Sequence, residues 1–98
     1  MAENWTAGVV DLTNDISTVA TSSVIVRGYH VNTTLSAHIT NINDGANTIF
    51  KIPAGSVAGT VVEFASDEGV IFKTSLIIDP DDATSAGNIT ILYKERVR

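Results

Sequence analysis

The chain has 98 residues, a formal net charge of −5, 44% hydrophobic residues and no cysteine. That length builds one domain around one core, and the lack of cysteine excludes disulfides and thiolate metal sites within it. The last five residues contribute +2 through Lys94, Glu95, Arg96 and Arg98, which leaves −7 for the first 93; so acidic a body repels phosphate and disfavours nucleic acid as a partner.

Thirty-four of the 98 residues are Val, Ile or Thr, against four Leu and no Gln. Branching at Cβ restricts χ1, which penalises helices and suits a pleated surface, so the expected class is all-β. No apolar run approaches the ~20 residues that cross a bilayer. Met1-Ala2-Glu3-Asn4 offers neither the basic nor the apolar region of a secretory signal. The expectation is a soluble chain made in a cytoplasm, without a membrane partner.

In chain order, residues 5–12 read as a first extended segment, closed by Thr13-Asn14-Asp15, and 16–20 as a short edge strand. Residues 22–31 read as a central strand. Alternation puts Val24, Val26, Gly28 and His30 on one face and Ile25, Arg27, Tyr29 and Val31 on the other. Residues 35–42 alternate Leu35, Ala37 and Ile39 with Ser36, His38 and Thr40, a half-buried pattern. Asn43-Asp44-Gly45 predicts a hairpin to 48–52, with Phe50 and Ile52 inward, and Pro53-Ala54-Gly55 ends that strand. Residues 60–64 carry Val62 and Phe64 inward, followed by a turn at Ser66-Asp67-Glu68-Gly69. Val70, Phe72, Thr74, Leu76 and Ile78 predict one long strand with a single apolar face. Residues 79–87 predict an exposed loop, and 88–94 the last strand. Seven to eight short antiparallel strands at this spacing predict a single small β-sandwich, jelly-roll-like or immunoglobulin-like, or else a small barrel.

Candidate chemistry is sparse. His30 and His38 are the only histidines, and no spacing brings a third metal ligand to either. Asp79, Asp81 and Asp82 superficially suggest a calcium loop, but Pro80 intrudes and no Glu follows at the required position. No Gly-x-Ser-x-Gly elbow or phosphate loop is present; Gly55-Ser56-Val57-Ala58-Gly59 lacks the lysine and the helix. The expectation is a protein that is not an enzyme and takes no cofactor or metal. Asn4, Asn32 and Asn88 each begin an Asn-x-Thr glycosylation pattern, which a Thr-rich chain produces by chance. Phe50, Phe64 and Phe72 read as core rather than as a sugar platform. Trp5 either staples the terminal segment or packs on a partner, and the second reading is preferred. Lys94, Arg96 and Arg98 form a basic tail on an acidic body, either solvated or a docking element.

The run Arg27-Gly28-Tyr29-His30-Val31-Asn32, with Asp44-Gly45, Ile52-Pro53-Ala54-Gly55, Glu63-Phe64, Gly69-Val70-Ile71-Phe72 and Gly87-Asn88-Ile89-Thr90-Ile91-Leu92-Tyr93, resembles small virion proteins of tailed bacteriophages, marine ones especially. It spans roughly residues 22–95. The resemblance implies a sandwich that assembles on a virion after synthesis in the host cytoplasm, and in particular a capsid decoration (cement or knob) protein. It implies the major capsid protein or other virion proteins as partners and a homo-oligomer, a trimer by family style. Residues 1–12 and 94–98 are the expected docking elements, with Trp5, Lys94, Arg96 and Arg98 as partner-binding residues. A tail, fibre or connector subunit is the nearest alternative, and a carbohydrate-binding module a more distant one.

Overall fold

A computed structural model describes residues 5–13, 16–64, 69–80 and 87–95. The chain order is β1 (Thr6–Asp11), β2 (Ser17–Ala20), β3 (Val24–Val31), β4 (Thr40–Asp44), β5 (Asn47–Ile52), β6 (Val61–Glu63), β7 (Val70–Phe72), β8 (Leu76–Pro80) and β9 (Asn88–Glu95). There is no helix among the described residues, as the β-branched composition requires.

The strands form two antiparallel sheets. One runs β1-β9-β3-β6, with β7 also paired to β3; the other runs β2-β8-β4-β5. β6 and β7 occupy successive stretches of the same partner, Gly28 to His30 and then Val24 to Val26. Taken as one interrupted strand they reduce nine strands to eight, in the two-sheet order of a jelly roll. An immunoglobulin-like sandwich would instead pair three sets of sequence neighbours within its sheets. Here only β4 and β5 do so.

The core lies between the sheets and is built from their inward rows. Val26, Val31, Ile42, Ile52, Phe72, Leu76, Ile78, Ile89 and Ile91 are fully buried. Phe64 is buried and stacks on half-buried Phe50 with ring centroids 3.9 Å apart, while Tyr29 meets Phe64 edge-on at 6.5 Å. Burial pushes the Tyr29 phenol above its ordinary pKa.

Four expectations need correction. The briefest is the exposed loop predicted over 79–87: Asp79 and Pro80 continue β8 opposite Asn41 and Thr40, and Pro80 is buried. The other three are larger. First, β3 does not alternate through its whole length. Its pairing with β9 shifts between Val26 and Gly28, so Arg27 is an extra residue in a bulge. Val24 and Val26 face inward before it, Tyr29 and Val31 after it, and His30 is exposed rather than sharing the Val24 face.

Second, residues 32–39 form a connection, not the front of a strand. β4 begins only at Thr40, which points inward, while Ile39 is exposed. The connection is held by backbone bonds such as Leu35 N–H to Ser56 C=O and Gly55 N–H to Ser36 C=O, both 2.8 Å. Those groups are therefore spent outside any sheet ladder.

Third, residues 70–78 are two strands in different sheets. The cause is Asp44 at the end of β4. Its carboxylate accepts the N–H groups of Lys73 (2.9 Å), Thr74 (2.8 Å) and Ser75 (3.3 Å), and Ser75 Oγ in turn accepts the Gly45 N–H at 3.0 Å. Three consecutive donors turned onto one carboxylate cannot serve a ladder, so the chain leaves the β3 sheet at Phe72 and enters the β4 sheet at Leu76. The predicted hairpin is present, with Gly45 at φ +60°. The predicted turns at Asn14-Asp15 and Ser66-Asp67-Glu68, and the stretch 81–86 of the acidic loop, lie outside the described residues.

Candidate functional site

With the inward rows claimed by the core, the outward rows carry what folding does not need. On the β1-β9-β3-β6 sheet, cross-strand register aligns three such rows. Val9, Thr90, His30 and Val61 make the first; Ala7, Leu92, Gly28 and Glu63 the second; Lys94, Ile25 and Ile71 the third. Val9 is 70% exposed, Val61 63% and Ile71 46%. Strands about 4.8 Å apart and rows about 7 Å apart make this a patch on the order of 300 Å². The patch is mixed, since Thr90, His30, Glu63 and Lys94 stand among its aliphatic residues; surface patches of that size on small proteins often serve binding.

A shallow groove sits in the middle of the patch, lined by Arg27, Gly28, His30, Val61, Glu63 and Leu92 among others. Gly28 is its structural key. A Cβ at that position would run into the Val62 carbonyl oxygen and lie 3.1 Å from Glu63 Cα, so only glycine lets β6 approach β3 there. The bulge at Arg27 aims the chemistry: it turns the Arg27 carbonyl to the Phe64 N–H at 2.9 Å and moves His30 to the outer face.

His30 stands directly across from Thr90 and diagonal to Glu63, but hydrogen-bonds to neither among the described residues. The Thr90 hydroxyl accepts instead from Asn32 Nδ2 at 2.8 Å. The groove therefore presents no hydroxyl held by an oriented base. Among the described residues no group of three His, Asp or Glu is placed to hold a metal ion. His38 is half-buried in the 32–39 connection, away from His30.

Trp5 is half-buried at the margin of this face, beside the third row. Lys94 Nζ lies 4.7 Å from its ring centroid and the Arg27 guanidinium 5.6 Å. Cations over an indole are each worth about 0.5–1 kcal/mol at such a site, so Trp5 pins the start of β1 to β3 and β9 while keeping part of its surface exposed. Arg96 and Arg98, like Met1 to Asn4, lie outside the described residues. Asp79 is half-buried at the end of β8; Asp81 and Asp82 are outside.

The aromatic rings offer no exposed coplanar pair among the described residues: Phe50 and Phe64 are coplanar, but Phe64 is buried between the sheets. Of the glycosylation patterns, Asn32 is tied to Thr90 and Asn88 is tied into the same corner. The Asn88 N–H donates to Thr33 Oγ1 at 2.9 Å and its carbonyl accepts from Asn32. Both are structural.

Sequence reasoning singles out both Trp5 and Lys94 as docking residues, and the structure brings the two together. The same reasoning missed the Val9, Val61 and Ile71 patch. The signal was present, since these are branched aliphatics at positions of outward parity, but the parity of β3 becomes readable only once the bulge is known. No helix among the described residues is long and apolar enough to cross a membrane. No protein-family model, no curated protein and no solved structure matches the chain.

Proposed function

We propose that the protein is a non-enzymatic bacteriophage virion component, a capsid decoration protein that assembles in the host cytoplasm and docks on the major capsid protein. The observation that carries this reading is the aliphatic outer face of the β1-β9-β3-β6 sheet, exposed on a small jelly roll whose described residues assemble no catalytic constellation. Jelly rolls recur in viral capsid proteins, although a fold is never by itself a function. The phage-like segments support the reading from the sequence side, since the first of them is the β3 strand that forms the middle of the patch. A lattice of identical capsid sites supplies avidity to such a module, so a patch of a few hundred Å² suffices where a single soluble complex would need more.

The test is quantitative mass spectrometry of purified virions. Decoration predicts copies comparable to the major capsid protein. A handful of copies assigns the chain to a tail, fibre or connector position instead. Absence from the particle overturns the virion reading altogether.

A further inference from the structure

A sheet edge exposes unpaired backbone groups, and proteins blunt such edges with short strands, bulges, Lys or Pro. Three of the four edges here are blunted. β2 has four residues and an irregular register between Thr18 and Ala20. β5 carries Lys51 and pairs to β4 across a register shift between Ile42 and Asn43. β6 and β7 are three residues each.

β1 has no bulge, no Lys and no Pro, and its one charge, Asp11, stands at its end. Its six residues, Thr-Ala-Gly-Val-Val-Asp, hold a continuous register from Thr6 opposite Tyr93 to Asp11 opposite Asn88, and among the described residues its sheet partner is β9 alone. The Leu12 N–H donates to the Gly87 carbonyl at 2.9 Å in that same register. Even-numbered residues therefore bond to β9, while Ala7, Val9 and Asp11 turn their N–H and C=O groups to the open edge. The Asn32 N–H reaches the Asn88 carbonyl from the other side of β9 at 3.1 Å, which fits the same parity.

We infer that β1 is the seam of a two-fold dimer, in which a second copy of the chain adds its own β1 antiparallel, centred on Val9. The charges along the edge select this occupant and this direction. Asp11 stands at one end; Trp5 stands at the other, under Lys94 and Arg27. An antiparallel copy sets Asp11 opposite Ala7 of its mate and toward those cations. A parallel copy would align acid with acid. Val9 then faces Val9, a β-branched pair of the kind that stabilises sheets, and each of the three pairs from Ala7 to Asp11 exchanges two backbone hydrogen bonds. The interface is isologous and closes on itself, so it makes a dimer rather than the trimer expected from family style. It also joins the two apolar outer faces into one surface. The dimer forms in free solution, so it stands or falls independently of any place in a virion.

The test uses the full chain. Native mass spectrometry and sedimentation across the micromolar range should give twice the chain mass. The chain has no cysteine, so Val9→Cys introduces a single thiol. Across the two-fold its Cα atoms would be about 5.5 Å apart, within disulfide reach. Under mild oxidation Val9→Cys should yield covalent dimer about tenfold faster than Val61→Cys, which is comparably exposed but off the seam, because the seam raises the effective concentration. Val9→Pro deletes only an N–H that points away from β9, which an edge strand tolerates; it should keep the far-ultraviolet circular dichroism and give a monomer. Should that variant unfold, the two cysteine variants decide. A monomeric or trimeric wild-type chain, or equal cross-linking at the two positions, overturns the proposal.

Discussion

The two outer faces of the sandwich differ although their inner faces are alike. Inward, both sheets bury branched aliphatic side chains completely, Val26 and Ile91 on one and Ile42 and Ile78 on the other. Outward, the β1-β9-β3-β6 sheet shows Val9, Val61, Ile25, Ile71, Ala7 and Leu92, with Thr90, His30, Glu63 and Lys94 among them. The β2-β8-β4-β5 sheet shows Thr18, Thr48, Asn41, Asp79 and Lys51, with half-buried Ile77 and, at the β5 register shift, exposed Ile49; Asn43 on this sheet is buried. An aliphatic side chain left in water adds nothing to folding. The asymmetry is therefore not a requirement of the fold, and it is the feature on which the proposed docking rests.

The largest expected effect comes from filling the middle of the aliphatic face. Gly28→Ala puts a methyl group against the Val62 carbonyl, and backbone cannot give way as a side chain does. Overpacking of this kind costs about 1–3 kcal/mol, and thermal unfolding should fall by about 4–8 °C for each kcal/mol in a domain of this size. Gly8→Ala is the control: its Cβ would meet the Tyr93 ring at 3.2 Å, and a ring can shift. A Gly28→Ala protein as stable as Gly8→Ala would mean that the close approach of β6 to β3 is not what shapes the groove.

A smaller effect is expected where the chain crosses from one sheet to the other. Burial acts to raise the Asp44 pKa, but the N–H groups of Lys73, Thr74 and Ser75, with the Lys73 charge, outweigh it and hold the carboxyl below its ordinary value. Asp44→Ala removes a partner shared by three donors, yet the site is open to water. The expected loss is about 1 kcal/mol, that of a capping side chain after solvent screening. The pH dependence follows in sign. A depressed folded-state pKa means that the unfolded chain binds the proton more tightly, so the contribution is complete above about pH 4, the ordinary Asp value, and disappears as pH falls through the lower folded-state value. Asp11 is lowered too, through the hydroxyl and N–H of Thr13. Acid titration of wild type and Asp44→Ala by circular dichroism should show their stabilities converging at low pH, and parallel curves would remove Asp44 from the account.

These particulars show which parts of the fold the sequence made legible. Strands β5, β6 and β9 were readable because two-residue alternation holds along each of them and a Gly or Pro follows or precedes it. β3 was located correctly, but its second half was assigned to the wrong faces. One extra residue inverts every parity after it, and with Arg27 removed the string from Val24 to Val31 alternates without a break. The single strand predicted over residues 70–78 failed for a different reason. Local periodicity there is genuine, and what interrupts it is a carboxylate some thirty residues earlier in the chain. Long-range polar contacts of that kind leave no local trace. The candidate site inherited both difficulties, since the outward rows can be listed only after the bulge and the crossing are known.

The smallest expected change in stability carries the sharpest test of the asymmetry. Val61→Lys and Thr48→Lys each add one positive charge at an exposed strand position, the first on the aliphatic face and the second on the polar face. Surface substitutions of this type stay within about 0.5 kcal/mol, so both proteins should unfold with wild-type midpoints. Their surfaces should not behave alike. Val61→Lys interrupts the row from Val9 to Val61, and should shorten retention on a phenyl hydrophobic-interaction column and weaken the proposed attachment to capsids. Thr48→Lys replaces one polar group by another and should leave both unchanged. Because the charge added is the same, equal losses would trace attachment to net charge, and the aliphatic face would no longer be distinguished from its opposite.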